Sequence, residues 1–216
     1  MGPAMQFDMS KLDAAERYKL LVNTITPRPI AWVVTQDAAG NRNAAPYSFF
    51  NAMGSDPALV AIFMGPDDVR SPSGQKDSLR AIRETGEFTV ALVSEDDAPK
   101  MVLSATDAPA GVDELALLDI PTRPASMVTP PLIASAPVTY ECRLWQFIET
   151  TANAGIVLGE VVAMDIDDRL LGEENGRLRI DAPAMKLVGR AHGAGWYWRG
   201  SDQVRIDRQN WPLDQT

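Results

Sequence analysis

The chain has 216 residues, 45% hydrophobic and 23% charged, an ordinary globular composition with enough apolar surface to bury a sizeable core. Twenty Lys and Arg against 29 Asp and Glu leave a net charge of −9, a field that repels phosphate backbones and anionic lipid and argues against a nucleic-acid partner. A single cysteine, Cys142, and a single histidine, His192, exclude an intramolecular disulfide and any zinc site built from Cys and His alone. No apolar run approaches the roughly 18 residues that could span a bilayer. Residues 1–5 lack the basic and apolar regions of a signal peptide, so the expectation is a soluble, reduced, cytoplasmic protein.

Ser10-Lys11-Leu12-Asp13 has the form of a capping box, and Ala14, Tyr18, Leu21 and Val22 recur at helical spacing up to Thr26-Pro27. This pattern predicts a first helix of about three turns. Residues 29–35 are β-branched and aromatic, and the turn at 37–41 leads into 42–46, predicting a β-hairpin. Residues 59–64 and 88–93 are apolar runs of strand length; between them a helix is expected over 77–85, ended by Gly86. A further helix is expected around 98–104.

The proline-rich stretch 106–137 reads as an excursion across the surface, onto a partner subunit, because Leu115, Leu117, Leu118 and Ile120 keep it apolar. From Val138 the pattern alternates: Val138, Tyr140, Cys142 and Leu144 fall on one face, Thr139, Glu141, Arg143 and Trp145 on the other. A long strand follows over 156–166, with two more expected at 177–180 and 204–207. Six or more strands with short interspersed helices and antiparallel connections predict a mainly β fold, a β-barrel with helical decorations. One domain is expected over residues 1–216, with 1–9 flexible. Cys142 reads as a buried structural thiol. The acidic clusters around Asp165, Asp167, Asp168, Glu173 and Glu174 read as solvated turns, since no metal-binding loop accompanies them.

No GxGxxG after a strand, Walker loop or HExxH helix is present. Three polar clusters remain. In Thr26-Pro27-Arg28-Pro29-Ile30 two prolines fix the backbone around an arginine suited to bidentate contact with phosphate or carboxylate. In 43–50, Ala44, Ala45 and Pro46 allow a flat ligand to approach the backbone, with Tyr47 and Ser48 supplying hydroxyls. In Arg70-Ser71 and Gln75-Lys76-Asp77-Ser78, cations and hydroxyls gather where a helix begins and its free N–H groups favour an anion. Each cluster also has a plain structural explanation as a surface turn, a strand exit or a helix cap with a solvated lysine. Their order along the chain separates the two readings.

That order resembles the flavin reductase-like family of FMN-binding split-barrel flavoproteins. The resemblance is carried by Tyr18-Lys19-Leu20-Leu21, Thr26-Pro27-Arg28-Pro29-Ile30-Ala31, Gly40 with Asn43-x-Ala45-Pro46-Tyr47-Ser48-Phe49-Phe50, Asp56-Pro57, Lys76-Asp77-Ser78, Gly86-Glu87-Phe88, Leu158-Gly159-Glu160-Val161-Val162 and Gly189-Arg190-x-His192-Gly193-x-Gly195-Trp196-Tyr197. It extends over roughly residues 15 to 200. The resemblance implies an antiparallel, Greek-key split barrel that works as a homodimer, with FMN at the subunit interface and hydride delivered from NADH or NADPH. It implies that Arg28, Pro29 and Ile30 line the flavin, that Ala45, Pro46, Tyr47 and Ser48 hold it, and that Arg70, Ser71, Lys76, Asp77 and Ser78 form the phosphate site. Arg190 would lie beside the cofactor, with His192 positioning the hydride donor. Because the cofactor carries the chemistry, no acid, base, nucleophile or metal is required.

Three functions remain open at this point: a flavin reductase, which would supply a separate monooxygenase; an FMN enzyme acting directly on a small organic substrate; and a non-catalytic flavin-binding module. Arg190, Arg199 and Arg205 are all candidates to distinguish NADPH from NADH.

Overall fold

Asp13, and not Ser10, opens the first helix, α1 (Ala14–Thr24): the Asp13 carboxylate accepts the Glu16 N–H at 2.8 Å while the Glu16 carboxylate accepts the Asp13 N–H at 3.0 Å. Ser10 sits earlier, in a 3₁₀ turn (Met9–Lys11) capped by Asp8. The computed structural model describes residues 4–67, 71, 73–106, 108–109 and 111–206. After α1 come β1 (Ala31–Gln36), β2 (Arg42–Tyr47), β3 (Phe50–Ser55) and β4 (Ala58–Met64), then α2 (Asp77–Thr85), closed by Gly86 in the left-handed conformation, and β5 (Glu87–Leu92). The interval before the long strands contains α3 (Ala98–Leu103), α4 (Glu114–Leu117) and the short pair β6 (Thr122–Arg123) and β7 (Leu132–Ile133). Then follow β8 (Val138–Thr151) and β9 (Ala154–Ile166), the hairpin β10 (Leu171–Glu174) and β11 (Arg177–Ile180), and the pair β12 (Val188–Arg190) and β13 (Tyr197–Arg199).

Seven strands form one antiparallel sheet in the order β2-β1-β5-β8-β9-β4-β3. Its two outermost strands, β2 and β3, are neighbours in sequence, joined only through Ser48 and Phe49, so the sheet curls until its edges meet at this connection. The Phe63 N–H of β4 donates to the Phe49 carbonyl at 2.9 Å, carrying the β3–β4 ladder one residue into this connection. The result is the mainly β split barrel expected from the sequence.

Strand β1 explains why residues 29–35 read as a continuous apolar run: it is buried on both faces. Ala31 and Val33 point into a core with Ile62, Leu79, Phe88, Val90 and Cys142. Ile30, Trp32 and Val34 point into a second core with Met101, Leu115, Ile120, Ile133 and Val188. The tight passage of β9 over Phe88 requires glycine, since a Cβ on Gly159 would lie 2.3 Å from the Phe88 ring.

Three expectations change. The 106–137 segment packs on its own barrel: Leu115, Ile120 and Ile133 enter the second core, leaving Leu117 exposed. As a consequence the Thr139/Glu141 face of β8 is also covered, and both residues are buried. The Glu141 carboxylate accepts the N–H groups of Ser126, Met127 and Val128 and the Ser126 hydroxyl. Strand β3 was not expected; its small and polar residues suit an exposed, bulged edge and give no apolar period. Residues 204–206 are not a strand, and Asp207 lies outside the described residues. The pair β12/β13 was not expected, because its glycine-rich flanks carry no strand signature.

Candidate functional site

Two clefts stand out, one against β2 and the start of α2, the other against residues 27–30 and the strands β3 and β4. The smaller, of about 120 Å³, is polar and is bounded by β2, the start of α2 and α4, with Tyr47, Ser71, Lys76, Ser78 and Glu114 in its wall. Asn43 Nδ2 donates to Ser78 Oγ at 2.7 Å and so fastens β2 to α2. Lys76 is the last extended residue before α2, and no side chain caps the helix, leaving the N–H groups of its first turn directed at the cleft mouth. The Lys76 ammonium lies 3.8 Å from Asp67.

The carboxylates here are partly neutralised. Arg80 holds Asp77 at 2.9 Å and lies 3.8 Å from Asp37. Burial pushes the Glu114 carboxyl up, toward its neutral form, despite the Ala44 N–H that it accepts at 3.0 Å. Among the described residues the buried Tyr47 hydroxyl makes no hydrogen bond of normal geometry, although Ser78 lies near it, and burial raises its pKa to about 12, so it stays protonated. Helix N–H groups, an ammonium, serine hydroxyls and a buried phenol form a donor set that suits a phosphate monoester. Arg70, expected in this cluster, lies outside the described residues.

The larger cleft, about 800 Å³ and mainly apolar, is bounded by Pro29, Ile30, Phe50, Val161, Met164 and Trp198. It has the size and lining of a site for a flat organic ring. Ala45 packs toward the first core, while Pro46 and Asp77 line the polar cleft. Thus the expected residues divide into two groups: Ala45, Pro46, Tyr47, Ser71, Lys76, Asp77 and Ser78 at the polar cleft, and Pro29 and Ile30 at the apolar one. Ser48 follows β2 at the connection to β3.

The Arg28 side chain was expected to suit bidentate contact with phosphate or carboxylate and, by resemblance, to line the flavin; the residue lies in the wall of the larger cleft. It is buried, 6% exposed, and turns back to carbonyls: Nη1 donates to Val22 O at 2.6 Å and Ile25 O at 2.7 Å. His192 is exposed on the loop between β12 and β13 and stacks on Trp196, with centroids 6.0 Å apart and planes at 13°. Arg190 Nη1 donates to Trp196 O at 3.1 Å, and its guanidinium lies over the Tyr197 ring at 5.0 Å. Trp198 is anchored through Nε1 to Thr26 Oγ1 at 2.9 Å.

Glu114 and Asp67 were not singled out from sequence. Glu114 accepts from Ala44, 70 residues away in the chain, through a four-residue helix, and no local spacing announces that contact. Cys142 is fully buried, and burial pushes its thiol far up, so it is inert. Among the described residues no three His, Cys, Asp or Glu side chains converge as a metal site, and no helix is long and apolar enough to cross a membrane.

Residues 23–185 match the family described as flavin reductase like domain. An uncharacterised protein of Deinococcus radiodurans is 42% identical over 207 residues, spanning 94% of this chain and 88% of that one. YwrF of Bacillus subtilis is 35% identical over 192 residues, 85% and 91% of the two chains. Among solved structures, the 2-nitrobenzoate 2-nitroreductase NbaA of Pseudomonas fluorescens superposes with a TM-score of 0.85 at 33% identity, covering 96% of this chain and 98% of that one. Nitrilotriacetate monooxygenase component B of Bacillus cereus superposes with a TM-score of 0.85 at 26% identity, covering 95% and 100%.

Proposed function

The chain belongs to the flavin reductase-like family of split-barrel flavoproteins, and we propose on this basis that it binds FMN and passes hydride from NADH or NADPH to it. When bound, FMN supplies the hydride-accepting chemistry. The observation that carries the reading is the uncapped start of α2 with Lys76 beside it, facing the buried Tyr47 hydroxyl in one polar cleft. In a chain of net charge −9, a dianionic phosphate needs such a local set of donors.

In this reading Lys76, Ser71 and Ser78 hold the phosphate with the α2 N–H groups, Asp77 is kept paired by Arg80, and Arg70 adds a second cation. Ala45, Pro46, Tyr47 and Ser48 hold the ring system, and the main chain of Arg28 with Pro29 and Ile30 lines it. His192, carried on Trp196, positions the nicotinamide beside Arg190; it orients the hydride donor and transfers no proton. The whole chain acts as one flavin-binding domain.

Similarity to nitrilotriacetate monooxygenase component B supports release of reduced flavin to a separate monooxygenase. A second reading is direct reduction of a small organic acceptor. It is favoured by the 800 Å³ apolar cleft and by the 33% identity to a 2-nitrobenzoate 2-nitroreductase. The test is anaerobic titration of the FMN-loaded protein with each nicotinamide, followed by steady-state NAD(P)H oxidation with free FMN, with and without 2-nitrobenzoate. Bleaching of the flavin and turnover on FMN alone are expected. Turnover only when the nitroaromatic is added would favour the second reading, and a flavin that stays oxidised with both nicotinamides would leave a binding module.

A further inference from the structure

The guanidinium of Arg28 is committed on all three nitrogens. Nη1 bridges Val22 O and Ile25 O at the end of α1, Nε makes a longer contact of 3.4 Å to Ser48 Oγ, and Nη2 one of 3.4 Å to Ala191 O. The main chain adds two bonds in the same place: the Arg28 N–H donates to Arg190 O at 3.0 Å and the Arg190 N–H to Arg28 O at 2.8 Å. The strands approach so closely here that a Cβ on Gly189 would lie 3.1 Å from Pro27 Cβ and 3.3 Å from Arg28 O. The guanidinium carbon also lies 5.9 Å from the centroid of the Phe49 ring. One side chain therefore touches the end of α1, the β2–β3 connection at Ser48 and the residue next to His192.

We propose that Arg28 is a positioning residue, not an anion ligand: it clamps the His192 loop to Ser48 and to the end of α1, so that the nicotinamide side and the flavin side of the site keep one register. The inference rests on the hydride-transfer reading above. A cation is favoured at the carbonyl end of α1, and only a planar fork serves three directions at once. Lysine at this position reaches the helix-end carbonyls, but its three donors radiate from one nitrogen and do not also span to Ala191 O, so it releases the His192 loop. The loop then spends part of its time away from its working position. Apparent nicotinamide affinity falls by the fraction of molecules that remain competent, while the turnover of correctly bound complexes is kept.

The experiment compares the full-length protein with Arg28→Lys. We expect KM for the nicotinamide to rise about fivefold or more, with kcat and the dissociation constants of FMN and riboflavin within about twofold of the parent. Tryptic cleavage after Arg190, a readout independent of activity, should accelerate by a similar factor. Loss of FMN affinity by tenfold with riboflavin spared would make Arg28 a phosphate ligand and overturn the proposal. Parental KM and parental cleavage together would also overturn it. Hydrogen exchange gives a further readout: residues 192–195 should exchange faster in Arg28→Lys, or in Arg28→Gln should the lysine variant fail to fold, than in the parent, and equal rates reject the clamp. A parental protein that oxidises neither nicotinamide refutes the hydride-transfer reading, while cleavage and exchange still report on the clamp itself.

Discussion

Lys76 stands where the backbone turns from extended into α2, with its ammonium 3.8 Å from Asp67 and about one third exposed. At 3.8 Å the ammonium is at the long limit of an ion pair and still partly exposed. Lys76→Ala should weaken FMN by about 10- to 100-fold, the loss of one charge-assisted hydrogen bond of about 1.5–3 kcal/mol, and leave riboflavin affinity within about twofold. Parallel fluorescence titrations with the two flavins check this. Equal weakening of both would move the phosphate away from α2. The residue scale also shows where local reading fails. The polar start of α2 at Lys76 and Ser78 is legible because it is local, whereas the carbonyls that take up the Arg28 side chain are not, since they lie on α1 and on the His192 loop, with Ala191 163 residues away.

At the scale of the element, the proline-rich segment is held to β8 by a single buried carboxylate. Burial alone would raise the Glu141 pKa, but the N–H groups of Ser126, Met127 and Val128 and the Ser126 hydroxyl hold it below the usual carboxylate range. A depressed carboxyl pKa contributes stability that is fully present above the unfolded value of about 4.3 and is lost as pH falls through the folded value. Glu141→Gln replaces an ionised acceptor by a neutral amide whose NH₂ confronts N–H donors, so it should cost about 2–4 kcal/mol at neutral pH. That corresponds to a melting temperature lower by about 5–15 °C for a chain of this size. Melts recorded from pH 7 down to 3 should show the gap between parent and variant closing below about pH 4. A constant gap would mean that the charge of Glu141 is not what pins the segment.

At the scale of the whole molecule, several large apolar side chains stay exposed on one chain: Tyr18 and Ile25 on and after α1, Trp145 and Ile148 toward the far end of β8, and Met53 and Met164 near the apolar cleft. A second copy of the chain could cover such groups where they adjoin one another. We expect a homodimer, which light scattering of the FMN-loaded protein should report as twice the 23.5 kDa chain mass. A monomer with flavin bound would place the whole site within one chain and remove the subunit interface from it.

The sequence by itself determined those parts whose causes are local. Helix α2 follows from its N-terminal polar cluster, its apolar spacing and Gly86, which takes the left-handed conformation at φ 74°. The β1–β2 hairpin follows from a β-branched run and a turn rich in Asp, Gly and Asn, and β9 from its apolar, β-branched composition. The order of short motifs was enough to identify the family. The tertiary structure decided the rest, because the partners come from distant parts of the chain. Strand β3 exists because β4 offers it an edge, although its own residues carry little β preference. The proline-rich segment lies on its own barrel because a second apolar face of the sheet, with Trp32 and Val34, has to be covered. Glu114, Glu141 and Arg28 acquire their roles from buried backbone groups that need a partner, and burial is a property of the assembled fold that no spacing along the chain encodes.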